Sequence, residues 1–326
     1  MFVPKPPHQG AKVALVAPSG PVPKERLPLA VASVEKMGFQ PVVFDSCHAV
    51  HGYFAGNDRL RAEDINRAFA DSSIEGVLCI RGGYGAQRLM NLIDFNLIAA
   101  NPKFFCGYSD ITALHIMINQ RCGFVTFHTP MASTEFYQGV DEYTANSYRN
   151  VLAGTFYGEL KNPEGMPLKT LTRGRARGIL TGGNLSLVAS SIGTPYEIDT
   201  KGKILFLEDV DEEPYRIDRM LTQLKNAGKF RDCAGVLLGY WTNCTAENPS
   251  RSLTLSQVFE ELLVSEGKPI LTNLACGHSL PSLSLPLGAE VEMDAFTGKI
   301  TVLSNSFPNE RTHTAGFSQH KSSMKY

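Results

Sequence analysis

The chain has 326 residues, long for one typical domain, so two domains are the expectation. Hydrophobic residues make up 43% and charged residues 19%, an ordinary balance for a globular protein with full-sized cores. The 31 basic and 32 acidic residues nearly cancel to a net charge of -1, so electrostatics give no reason to expect nucleic acid or an anionic membrane as a partner.

In chain order, KVALVAPSG at 12–20 reads as a buried strand closed by a loop. The next stretch places Leu27, Val31, Val34 and Met37 at helical spacing, with Gly38 after the helix end. QPVVFD is a second strand, and residues 57–70 form a helix that Asn57 can cap. IEGVLCIRGGYG is a third strand running into a glycine-rich turn. KFFCGYS is a fourth strand, DITALHIMINQ the helix after it, and GFVTFHTPM a fifth strand. Such alternation implies an α/β fold with a mainly parallel sheet covered on both faces. Right-handed crossovers then bring the loops Gly82–Gly85 and Gly107–Asp110 to one sheet edge, where such folds bind ligands.

The pattern changes near residue 150. The expected organisation is a first domain over 1–155, a linker with short strands over 156–175, a second domain over 176–305 and a mobile polar tail over 306–326. The second domain carries apolar runs ILFLED, GVLLGYW and ITVLS, and helices at NLSLVASSIG and PYRIDRMLTQLKNAG. TGGN, at 181–184, reads either as an anion-holding turn or as a tight turn capped by Asn184. The seven cysteines show no C-x-x-C and lie mostly in apolar runs, so they read as reduced, buried thiols. MFVPKPPHQG lacks the apolar region of a signal peptide, and no apolar run approaches the roughly 18 residues of a membrane helix. The expected location is cytoplasmic.

Ser109 admits two readings. Ser followed by Asp is ordinary helix capping. A serine between strand and helix can equally be an exposed nucleophile, with the Asp110 amide and the Gly83 amide of RGGYG as oxyanion donors. Position 111 is Ile, so the second glycine of G-x-S-x-G is missing. A nucleophile needs a base and an orienting partner. Glu208 ends an apolar run and opens an acidic stretch with Asp209, Asp211, Glu212 and Glu213, which reads as a solvated loop or, less well, a cation site. His278 follows a short apolar strand and Gly277; an isolated histidine is more often structural. His128, at the end of the fifth strand, is a candidate for the site wall. RGGYG lacks the spacing of a dinucleotide site.

RGGYGAQRLM, FFCGYSDITALH, TFHTPM, TGGNLSLVASSIGTPYEID, ILFLEDVDEEPYRIDRMLTQL and CGHSLPSLSLPLG occur in an order that resembles the LD-carboxypeptidases, serine peptidases that include muramoyltetrapeptide carboxypeptidases and microcin C self-immunity proteins. The resemblance covers roughly residues 10 to 303. It implies a flavodoxin-like first domain, a smaller mixed second domain and a homodimer. It also implies a triad of Ser109, Glu208 and His278, and an oxyanion hole from the amides of Gly83 and Asp110. Gly82, Tyr84, His128 and Gly183 are the expected substrate-binding positions. No cofactor or metal is expected. The implied substrate is a murein tetrapeptide cut before its terminal D-alanine, with an aminoacyl-nucleotide toxin as the alternative. A non-catalytic nucleotide-binding protein is the remaining reading. Thr129 departs from the glycine that many relatives place after the histidine.

Overall fold

The computed structural model describes residues 1–304, so the tail expected over 306–326 lies outside the described residues. Fourteen strands, in two sheets, are described: β1 Lys12–Val16, β2 Gln40–Val43, β3 Ile74–Cys79, β4 Phe104–Gly107, β5 Thr126–His128, β6 Gly158–Glu159, β7 Lys169–Thr172, β8 Arg175–Asn184, β9 Ile204–Val210, β10 Gly235–Thr242, β11 Ile270–Thr272, β12 Leu285–Leu287, β13 Glu290–Asp294 and β14 Lys299–Val302. The first sheet runs β12-β5-β4-β3-β1-β2. Strands β1 to β5 pair in parallel, as strand–helix alternation requires, and β12 adds antiparallel to β5. The second sheet runs β6-β14-β13-β8-β9-β10-β11-β7, with β8 to β11 parallel and antiparallel strands on both flanks.

The central strands are apolar along their length because both of their faces are covered. All four residues of β4 are buried, as are the first six of β9. The helix Asp58–Ala70 is capped by Asn57, whose side chain accepts from the Leu60 amide at 2.9 Å. The helix Pro214–Asn226 opens on a proline and buries Ile217, Leu221 and Leu224.

Two apolar clusters cross from one sheet to the other. One joins Leu114 and Ile116 to Leu185, Val188 and Leu207; the other joins Phe127 to Phe206 and Leu285. The halves therefore meet through hydrocarbon, and β12 returns from late in the chain to complete the first sheet.

Three local features differ from expectation. Thr181 to Gly183 form no turn but the end of the ten-residue strand β8, which pairs with β9. Residues 273–284, ahead of β12, are irregular rather than a strand leading to Gly277. The helix after Ser109 is a tight turn over Ser109–Ile111, an α-helix over Thr112–Met117 and a wide turn over Ile118–Cys122.

Gly183 marks the contact between the halves. Its φ is +138°, and a Cβ there would stand 2.4 Å from Thr112 Oγ1. Gly183→Ala is therefore expected to lose about 2 kcal/mol of unfolding free energy from overpacking alone. Urea denaturation reads this; a loss below about 0.5 kcal/mol, the range of neutral surface changes, would contradict the packing.

Candidate active site

Strand β4 carries the chain to the sheet edge, and Tyr108 and Ser109 follow. Ser109 has φ +65°, the left-handed region, where a residue with a side chain costs about 1–3 kcal/mol. That turn leaves its Oγ free of the helix: it caps neither the turn nor the following helix, against the capping reading. Instead Ser109 Oγ lies 2.9 Å from His278 Nε2. RGGYG passes close beside it. A Cβ on Gly82 would stand 2.9 Å from Ser109 Cβ and 3.1 Å from its Oγ, so a glycine is needed there.

Glu208 lies inside β9, which runs on to Val210 rather than ending at the glutamate, and its side chain is 0% exposed. Its Oε2 lies 2.7 Å from His278 Nδ1. An ionised carboxylate only accepts, so Nδ1 carries the proton and Nε2 is left to accept from the Ser109 hydroxyl. Burial alone pulls the His278 imidazole down, but the adjacent Glu208, with Asp209 and Glu135 beyond, outweighs it and holds His278 above its usual value.

Other groups position these three. The Tyr108 ring lies 4.7 Å from the His278 ring, centroid to centroid. The Tyr108 hydroxyl donates to Glu135 at 2.7 Å, and the Met131 amide donates to the same carboxylate at 2.8 Å. Asp110 supplies more than an amide: its buried carboxylate accepts from Ser19 Oγ at 2.5 Å and from the Ala86 amide at 2.7 Å. It thereby ties the loops after β1 and β3 to the turn that holds Ser109. Burial pushes the Asp110 carboxyl up, and the two hydrogen bonds act the other way. A sequence signal for this role existed in the acid directly after the serine, but capping accounted for it equally well.

The remaining expected positions separate. Gly82 stays beside Ser109, Gly83 lies against Gly20, and the Gly83 amide has no acceptor among the described residues. Tyr84 is half exposed, its ring 6.1 Å from Tyr53 and 5.8 Å from Phe54. His128, expected at the site wall, is almost wholly buried. It is buried edge-on to Tyr108 and Phe206, and burial, with His115 and His278 nearby, holds it well below its usual value. Gly183 is buried against Thr112.

The acidic stretch is internally engaged. Asp209 accepts from Asn184 Nδ2 at 2.8 Å and from the Ser186 amide at 3.0 Å. Asn184 in turn accepts from the Leu187 amide as a helix cap, and its own amide donates to Thr112 Oγ1 at 3.0 Å. Asp211 accepts from Asn243 Nδ2 at 3.0 Å. Among the described residues no three His, Cys, Asp or Glu side chains converge as metal ligands.

Family models for the N-terminal and C-terminal domains of LD-carboxypeptidases match residues 13–129 and 177–293. A probable murein peptide carboxypeptidase of Bacillus subtilis is 44% identical over 296 residues, covering 90% of this chain and 92% of that protein. The crystal structure of a muramoyltetrapeptide carboxypeptidase from Oxalobacter formigenes superposes with TM-score 0.77 at 29% identity, covering 89% of this chain and 97% of that one. An MccF-like protein from Bacillus anthracis superposes with TM-score 0.82 at 26% identity, over 94% of this chain and 100% of that one. The chain belongs to the LD-carboxypeptidase family and is, by that membership, a serine-type carboxypeptidase.

Proposed function

We propose that the protein hydrolyses the amide bond before the terminal D-alanine of a murein tetrapeptide, using Ser109, His278 and Glu208 as a triad. The observation that carries this reading is the continuous hydrogen-bond chain from Ser109 Oγ through His278 to Glu208, with steps of 2.9 and 2.7 Å. Murein peptides are the substrates named for the Bacillus subtilis and Oxalobacter formigenes relatives, which supports the same substrate class here. The buried, unpaired thiols of all seven cysteines support a reducing, cytoplasmic setting, where such peptides would be recycled.

In this reading His278 Nε2 takes the Ser109 proton as Oγ attacks the scissile carbonyl carbon. The oxyanion rests on the amides of Gly83 and Asp110. The latter lies in the first turn, where N–H groups lack intrahelical acceptors. The carbon–nitrogen bond then breaks, and the leaving amine of D-alanine takes the proton from His278. Water, deprotonated by the same imidazole, cleaves the ester and restores Ser109. Glu208 fixes the tautomer and stabilises the imidazolium. An aminoacyl-nucleotide is the second substrate reading, supported by the likeness to the MccF-like structure.

Wild-type protein is expected to release D-alanine from a murein tetrapeptide without added metal. Ser109→Ala is expected to lose at least about 10,000-fold in kcat. Release by the variant at the wild-type rate, or abolition of wild-type release by EDTA, would sink the scheme. Glu208→Gln makes a separate prediction. Catalysis needs neutral His278, so activity falls as pH drops through its raised pKa. Removing the carboxylate lowers that pKa. The acid limb of kcat/KM should therefore move to lower pH while the plateau falls by roughly 10,000-fold. An acid limb that stays in place would show that Glu208 does not set the imidazole's charge.

A further inference from the structure

The first sheet reverses its winding between β1 and β3. The chain leaves β1 toward β2 on one side, and β3, β4 and β5 follow on the other. In doubly wound folds the crevice at this switch is where a ligand sits. Its walls here are the loop after β1, with Ser19 and Gly20, and the loop after β3, with Arg81, Gly82 and Gly83. The Gly20 amide donates to the Gly82 carbonyl at 3.0 Å, which holds the walls together. Arg81 Nε lies 3.6 Å from where a Cβ on Gly20 would stand, so its side chain runs along this crevice.

Three arginines serve this edge, and two are committed. Arg61 is fully buried, with Nη1 donating to the Pro18 carbonyl and Nη2 paired with Asp58. Arg88 pairs with the other oxygen of Asp58 at 2.8 Å. Arg81 is half-buried, yet among the described residues it makes no ion pair and no hydrogen bond. A half-buried guanidinium without a partner is costly, and an anion entering the crevice would offset that cost.

We infer that Arg81 is the anchor for the free C-terminal carboxylate of the substrate. The inference rests on the carboxypeptidase reading above and adds what makes the enzyme an exopeptidase. Two further bonds past the scissile amide reach the carboxylate carbon, at most about 4 Å from the attacked carbon. The carboxylate oxygen stands about 1.2 Å farther out, and a hydrogen bond adds about 3 Å. The anchoring donor must therefore stand within about 8 Å of the carbon that Ser109 attacks. Arg81 adjoins Gly82, which abuts Ser109, and it precedes by two residues the Gly83 amide assigned to the oxyanion. Its planar fork matches a carboxylate with two parallel N–H···O bonds, which lysine cannot supply.

The test compares a murein tetrapeptide with the same peptide ending in D-alaninamide. Wild type is expected to favour the acid over the amide in kcat/KM. In Arg81→Gln that preference should fall by about 10- to 100-fold, the effect of losing hydrogen bonds to a charged group, mainly through KM for the acid. Arg81→Lys should fall between the two, and it keeps the test readable if the glutamine variant folds poorly. Equal losses on acid and amide in both variants would make Arg81 a support of the loop and overturn the inference. So would a wild type that cleaves acid and amide equally well. Cleavage of neither peptide by wild type would overturn the murein reading itself, and this anchor with it.

Discussion

Glu208 carries a carboxylate that is wholly removed from water, and His278 is what compensates it. Its Oε2 meets the imidazole at 2.7 Å, and its Oε1 has no protein partner. Leaving a buried carboxylate uncompensated costs several kcal/mol. The same bond fixes the imidazole proton on Nδ1 and turns Nε2 toward Ser109. A single contact thus links folding energetics to the protonation state that nucleophilic chemistry needs. Glu208 and His278 come from the second half of the chain and Ser109 from the first. The contact matters only if the two halves are held in register.

Register is held at two levels. The apolar clusters that run from Leu114 to Leu207 and from Phe127 to Phe206 make the junction a core rather than a hinge. A second series of hydrogen bonds runs beside the proposed triad: Asp209 holds Asn184, and Asn184 donates to Thr112. Asp209 follows Glu208 and Thr112 lies one turn past Ser109, so this second tether sets the spacing of the residues beside it. On the first sheet, Asp110 gathers the loops after β1 and β3 around the serine. The strained φ of Ser109 is maintained by these surroundings and directs its Oγ away from the helix.

The parallel first sheet was legible in the sequence because its strands are continuous apolar runs separated by helices of clear period. The three proposed site residues were legible only together. Ser109 reads equally as a cap, Glu208 as the start of a solvated loop and His278 as an isolated histidine; six motifs in family order singled them out. Other features were hidden for physical reasons. Gly182 and Gly183 resemble a turn, but their missing side chains admit the Phe206 carbonyl and Thr112 against strand β8. Pro286 argues against a strand, yet β12 is an edge strand, where a missing N–H is tolerated. His128 has the composition of a site residue, and only packing shows that it is buried with its ring against Tyr108 and Phe206.

The central claim is that Ser109 becomes covalently acylated through His278. Quenching the enzyme with acid during turnover of a murein tetrapeptide, then mapping its peptides by mass spectrometry, tests this directly. The account predicts the mass of the D-alanine-free acyl group on the peptide holding Ser109, and no such adduct in His278→Ala. The adduct on any other residue, or an unchanged adduct in the histidine variant, would contradict it.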